Sequence, residues 1–193
     1  MIAPPVPLPG YGTRSLAEVV PSIFGALGVA GFADPLALGP SRRACLLLID
    51  GLGWEGLKAH TKAAPFLNAI AGEPLTTGFP ATTVASNGIL ATGLAPGITG
   101  LVGYTMALPG FDRALNGLTW SLYGLGARVD LREEVVPEVF QPEPTLAERA
   151  GAAGLRLEYV GPARGGAHGC RRLPSAARHR RPHPWGEIAD LAR

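Results

Sequence analysis

An α/β sandwich on a mostly parallel sheet is the fold this 193-residue sequence predicts, and three observations predict it. Short apolar runs without polar alternation, such as 44–49 (ACLLLI), suit strands buried on both faces of a parallel sheet. Stretches with apolar residues at helical spacing alternate with those runs along the chain. Two capping signatures, Ser15 with Glu18 and Thr145 with Glu148, mark helix starts near both ends of the apolar region.

The first element is a helix over 15–28, where Leu16, Val19, Val20, Ile23, Phe24 and Leu27 recur at helical spacing. Pro21 conflicts with a smooth helix, so a kink or a late start is expected. The run 44–49 follows as a buried strand ending in Asp50-Gly51. Two short helices are expected near 54–60 and 65–71, the second opened by Pro65 at a first-turn position. Residues 75–77 are a candidate short strand. Thr83 then precedes a helix over 84–92, closed by Gly93. Residues 101–106 are a further candidate strand, and Asn116-Gly117 signals a turn before 118–122. The capping box at Thr145 opens a helix ending at Gly154, and 155–160 returns as a strand. No internal repeat is visible.

Composition bounds the class. With 47% apolar residues the chain is long enough for one domain with a real core. No apolar run approaches the roughly 20 residues of a membrane span, so a soluble protein without a membrane partner is expected. The proline-bearing start (MIAPPVPLPGYGTRS) lacks the basic-then-apolar order of a signal peptide. Cys45 and Cys170 are the only cysteines, which argues against a disulfide framework and for a cytoplasmic location. Net charge is +2 but unevenly spread: residues 1–163 carry 10 Lys and Arg against 13 acids, whereas 164–193 carry 7 Arg against 2 acids. The chain therefore divides into an apolar domain, 1–163, and a basic tail, 164–193.

Two turns carry chemistry. Gly51-x-Gly53-x-x-Gly56 follows a predicted strand and precedes a helix, the spacing of a dinucleotide-binding loop. Three features oppose that reading. Pro65 interrupts the helix the loop should open, Asp50 puts a carboxylate where a pyrophosphate should meet only amides, and no acid ends the following strand. The alternative makes Asp50 the point of the turn: an acid at the carboxyl end of a buried strand lies where open α/β sheets bind ligands, and its carboxylate suits a cation. Capping of the next turn is the bland role for the same side chain.

The second turn, 79–87 (FPATTVASN), joins a strand to a helix. A threonine there is ordinarily an N-cap. The same place is an anion site, because amide N–H groups and the helix dipole point at it. A hydroxyl so placed can attack phosphorus if a cation lowers its pKa. Chemistry alone does not choose between Thr82 and Thr83.

Together the two turns resemble the type I phosphodiesterase and nucleotide pyrophosphatase branch of the alkaline phosphatase superfamily. The resemblance runs through CLLLIDGLGWEGL, APFLNAIA and GFPATTVASNGILATGLAPGITGLVGY, strongest over 44–106 and extending over 15–160. It implies an alkaline-phosphatase-like α/β/α sandwich. By the family pattern Asp50 is a ligand of one of two divalent metals, usually zinc. Thr83 is the nucleophile and also faces the metals, and Thr92, Gly93, Leu94, Pro96 and Gly100 fit the downstream signature. The implied reaction is hydrolysis of a small phosphate ester or nucleotide through a phosphothreonine. Where relatives often carry a phosphate-binding asparagine, this chain has Tyr104, the candidate substrate-binding residue. The family's later ligands, an Asp with a Gly-His segment, an Asp-His pair and a late His, have no counterpart here. The expectation is thus the N-terminal part of a catalytic domain over 1–163, truncated, with an inactive or binding remnant as the alternative.

The tail breaks the apolar periodicity near Arg164. His168, Cys170, His179 and His183 match no standard zinc spacing, and nucleic-acid binding by its arginines is only generic. A disordered tail or a change of reading frame near Arg164 would each produce such a composition.

Overall fold

Local signals at the first helix form as their spacing requires. The Ser15 hydroxyl accepts from the Ala17 amide at 3.1 Å, and Glu18 turns back to accept from the Ser15 amide at 2.7 Å. A 3-10 turn, Leu16–Glu18, leads into α1, Val19–Ala26. The late start leaves Pro21 in the first turn of the α-helix, where an N–H has no helical partner to lose. The computed structural model describes residues 8–158, with only the backbone of 159–160 and 178–180.

Four helices follow: α2, Trp54–Ala59; α3, Pro65–Ile70; α4, Thr83–Thr92; and α5, Pro96–Thr99. Strands β1 (Thr105–Met106), β2 (Leu115–Asn116) and β3 (Ser121–Leu122) form an antiparallel sheet in sequence order, with Met106 opposite Leu115 and Leu115 opposite Leu122. After α6 (Pro137–Phe140) and α7 (Leu146–Ala152), β4 (Glu158–Val160) pairs in parallel with β5 (Arg178–Arg180). The capping box at Thr145 is present, its hydroxyl accepting from the Glu148 amide at 3.1 Å.

The mostly parallel sheet expected from the sequence is not formed among the described residues. Their three-stranded sheet is antiparallel, and 44–49 joins neither sheet. Leu46, Leu47, Leu48 and Ile49 stay 48%, 72%, 58% and 45% exposed. A continuous apolar run reports hydrophobicity, not pairing, and the flanking strands that would bury it are missing among these residues. Likewise 75–77 contributes only a bridge between Ser15 and Thr76. The tail positions His168, Cys170 and His183 lie outside the described residues, as does the side chain of His179.

Two apolar clusters hold the described part. Phe24, Leu146 and Ala150 join α1 to α7. Val84, Leu101, Met106, Leu115, Trp120 and Leu131 join α4 to the antiparallel sheet. Trp120 is fully buried despite a left-handed φ of 51°, and its indole N–H donates to the Val135 carbonyl at 2.6 Å. Its backbone strain is held by that burial and that bond. Gly117 sits so close to Val84 that a Cβ there would lie 2.8 Å from Cγ1 and 3.0 Å from Cγ2.

Two outcomes follow for stability. Gly117→Ala, forced against a buried and rotationally stiff Val84, should cost about 1–3 kcal/mol in urea unfolding. Adding Val84→Ala should recover part of that loss, giving a measurable coupling between the two sites. Asp34 holds the turn after α1, its carboxylate accepting from the Gly39 amide at 2.8 Å. The Leu38 amide foremost, then those of Gly39 and Ala37 with the Ser22 hydroxyl, keep its pKa below the ordinary carboxylate value against the opposing effect of burial. A lowered folded pKa gives stability that is full above the unfolded value and lost as pH falls through the folded one. Asp34→Asn should therefore flatten the acid limb of the stability profile in pH-dependent denaturation.

Candidate functional site

The site begins with the first turn of α4, and its two threonines divide the work there. Thr82 is the N-cap, with extended φ −106° and ψ 154°; its hydroxyl accepts from the Ala85 amide at 3.4 Å and its carbonyl from the Ser86 amide at 2.9 Å. Thr83 is the first helical residue and half-buried. Its hydroxyl faces Asp50, 33 residues earlier, at 3.4 Å from Oδ1 and 3.3 Å from Oδ2. The cap occupies one hydroxyl and leaves the other on the carboxylate. First-turn amides of a helix lack carbonyl partners within it, so the same corner offers N–H donors to an anion.

Asp50 is exposed and ends the unpaired apolar run. Gly51 behind it takes φ 76°, a left-handed turn that swings the chain toward α2. A Cβ on Gly53 or Gly56 would meet nothing within 4 Å, and α2 ends at Ala59. The third glycine of a dinucleotide loop serves close packing of helix on strand, and Gly56 makes no such approach.

A family model described as type I phosphodiesterase / nucleotide pyrophosphatase matches residues 44–168, well over half of the chain. The chain belongs to that family. No curated protein and no solved structure gives a match. The type I phosphodiesterases are in general metal-dependent and act on small phosphate esters or nucleotides. For this member the donor set fits poorly: Asp50 and Thr83 together offer one carboxylate and one hydroxyl, and the described residues contain no group of three or more His, Cys, Asp or Glu arranged for a metal. Zinc sites take three or four protein ligands each, so these two residues do not by themselves compose one.

Tyr104 is engaged elsewhere than on Asp50 or Thr83. Its phenol oxygen accepts from the Asn116 amide side chain at 3.0 Å, and Tyr123 packs edge-on with ring centroids 5.8 Å apart. It nonetheless borders the wall behind α4, because its carbonyl accepts from the amide of Gly117, the residue pressed on Val84. Asn116 was legible in sequence only as a turn signal. In the fold its buried side chain also accepts from the Leu118 and Thr119 amides at 3.0 and 3.3 Å, so one residue shapes the turn and holds Tyr104. Arg113 is a second residue no motif marks: its guanidinium donates to the carbonyls of Leu122, Tyr123, Gly124 and Ala127 and fixes the loop that carries Tyr123.

The split between the threonines predicts unequal stability effects. Thr82→Ala should cost about 1 kcal/mol through loss of the cap. Thr83→Ala should change stability by no more than about 0.5 kcal/mol, since an exposed hydrogen bond is lost while alanine favours the helix. Thermal or urea denaturation of the two variants side by side checks this.

Proposed function

We propose that this chain carries the nucleophile-bearing part of a phosphate ester hydrolase, with Thr83 as nucleophile and Asp50 as its carboxylate partner. The hydrogen bond between them at the amide-rich first turn of α4 is the observation that carries the proposal. The Asp50 carboxylate orients the Thr83 hydroxyl and is the nearest acceptor for its proton. The Thr83 oxygen bonds to phosphorus as the bond from phosphorus to the leaving oxygen breaks, giving a phosphothreonine; water then attacks phosphorus and restores the hydroxyl. Amides of the first turn would meet the non-bridging oxygens, where negative charge builds in the transition state. Tyr104, held by Asn116, is proposed to contact substrate, and zinc is the metal that the resemblance implies. No step here runs through a metal, because the ligands among the described residues do not complete one.

The incomplete donor set favours a specific second reading: a remnant that binds phosphate esters without turning them over. Nitrophenyl phosphate monoester and diester assays of the purified chain, with and without added zinc, separate the two. Turnover reduced at least a hundredfold by both Thr83→Ala and Asp50→Asn is expected if the pair is catalytic. Turnover unchanged by Thr83→Ala would remove that residue from the mechanism, and absence of turnover by folded protein at every zinc concentration would leave the binding reading.

A further inference from the structure

Residues 9–16, which precede α1, are bonded to the stretch that feeds α4. The Gly10 amide donates to the Thr76 hydroxyl at 2.7 Å, and that hydroxyl donates to the Arg14 carbonyl at 3.1 Å. Backbone bonds run alongside: the Thr76 amide donates to the Arg14 carbonyl at 3.0 Å, and the Leu16 amide to the Thr76 carbonyl at 2.8 Å. Glu18, buried at 8% exposure, stiffens the loop, its two carboxylate oxygens accepting from the Gly12 amide at 2.8 Å and the Ser15 amide at 2.7 Å. Charge-assisted bonds to both oxygens favour a single loop shape.

The contacts continue past Thr76. The Thr77 and Ser86 hydroxyls share a hydrogen bond of 3.2 Å, which joins the incoming stretch to the start of α4. Gly78 is buried, and a Cβ there would overlap Ile89 Cδ1 of α4 and lie 3.1 Å from the Tyr11 hydroxyl and 3.4 Å from Pro96 Cγ. At the far end of α4, a Cβ on Gly93 would lie 3.5 Å from the Ala17 carbonyl oxygen. Residues 9–17 therefore touch both the approach to the helix and the turn that closes it. They lie outside 44–168, the residues the family model matches.

We propose that this N-terminal loop is a positioning strap for the nucleophile turn, with Thr76 and Tyr11 as its positioning residues. Rotation of the first turn of α4 would carry the Thr83 hydroxyl away from Asp50. The strap opposes that rotation by fixing the backbone on which the turn begins. Thr76 and Tyr11 act through residues 76–82 and through Gly78, not by touching substrate. A displacement of about 1 Å at a reacting group can cost roughly a hundredfold in rate, so the strap bears on chemistry more than on overall stability. Its role in catalysis rests on Thr83 being the nucleophile; its hold on the turn does not.

Hydrogen exchange in the full chain reads that hold directly. Thr76→Val keeps the branched shape of the side chain and removes its hydrogen bonds. The Thr82, Ala85 and Ser86 amides, all bonded at the turn, should then exchange about tenfold faster, while the Leu131 amide on the Trp120 carbonyl keeps its rate. Thr76→Ser, which retains the hydroxyl, should restore the original rates. Tyr11→Ala should accelerate the same turn amides, and circular dichroism checks that each variant is folded. In nitrophenyl phosphate assays Thr76→Val should lower kcat about tenfold with KM changed by less than about twofold, again with rescue by serine. Unchanged exchange at the turn, acceleration shared equally by Leu131, or failure of serine to rescue would overturn the strap. Faster exchange with an unaltered kcat would overturn its role in catalysis. Absence of turnover by the unaltered chain would remove the hydrolase reading instead, and the exchange comparison would still decide the strap.

Discussion

The packing of α4 against the antiparallel sheet is the constraint on which the candidate site depends. Val84 and Ala85 are buried immediately after Thr83, and Val84 presses on Gly117 and its neighbours in the sheet. Further along the same helix, a Cβ on Gly88 would lie 2.9 Å from the Leu101 side chain, and Ile89 fills the space beside Gly78. Small residues thus bring the helix close to its neighbours at several points, and close contacts transmit little slack. The first turn inherits that rigidity, which makes the direction of the Thr83 hydroxyl a consequence of core packing a few residues away.

Asp50 reaches the pair under the opposite condition. Among the described residues, the hydrogen bond from Thr83 is the one that links 42–75 to the rest of the chain, while α2 and α3 pack on each other. A hydrogen bond of 3.3–3.4 Å at the surface contributes at most about 1 kcal/mol net. Such a bond cannot anchor 34 residues, so it selects an orientation for the two side chains and adds little to stability. The site is asymmetric: a nucleophile candidate fixed by packing, and a carboxylate brought by a segment with little else to hold it.

That asymmetry also explains which features the sequence disclosed. Both capping boxes, the C-terminal turn at Gly93 and the proline-opened helix at Pro65 were readable because each is decided by residues within one turn of one another. The meeting of Thr83 with Asp50 was not, since 33 residues separate them; only the joint resemblance of the two turns to a family anticipated it. The choice of Thr82 as cap needed backbone angles at 82. The parallel sheet expected through 44–49 is not confirmed among the described residues, because an apolar run is the same string of residues whether or not other strands cover it. Asn116 and Arg113 escaped notice for a related reason: their value lies in several backbone partners on loops that sequence spacing does not bring together.

Family membership and architecture therefore part at the same residues. The family match starts at 44, at the head of the apolar run, yet that run is unpaired among the described residues. What the family pattern preserves here is the chemistry of two turns: an acid before a left-handed glycine, and a hydroxyl at the start of a helix. Turn chemistry is local and survives without neighbours, whereas a buried strand is a contract between segments and exists only when its partners do. Any partner that covers 44–49 necessarily acts on Asp50 as well, because the carboxylate is the next residue along.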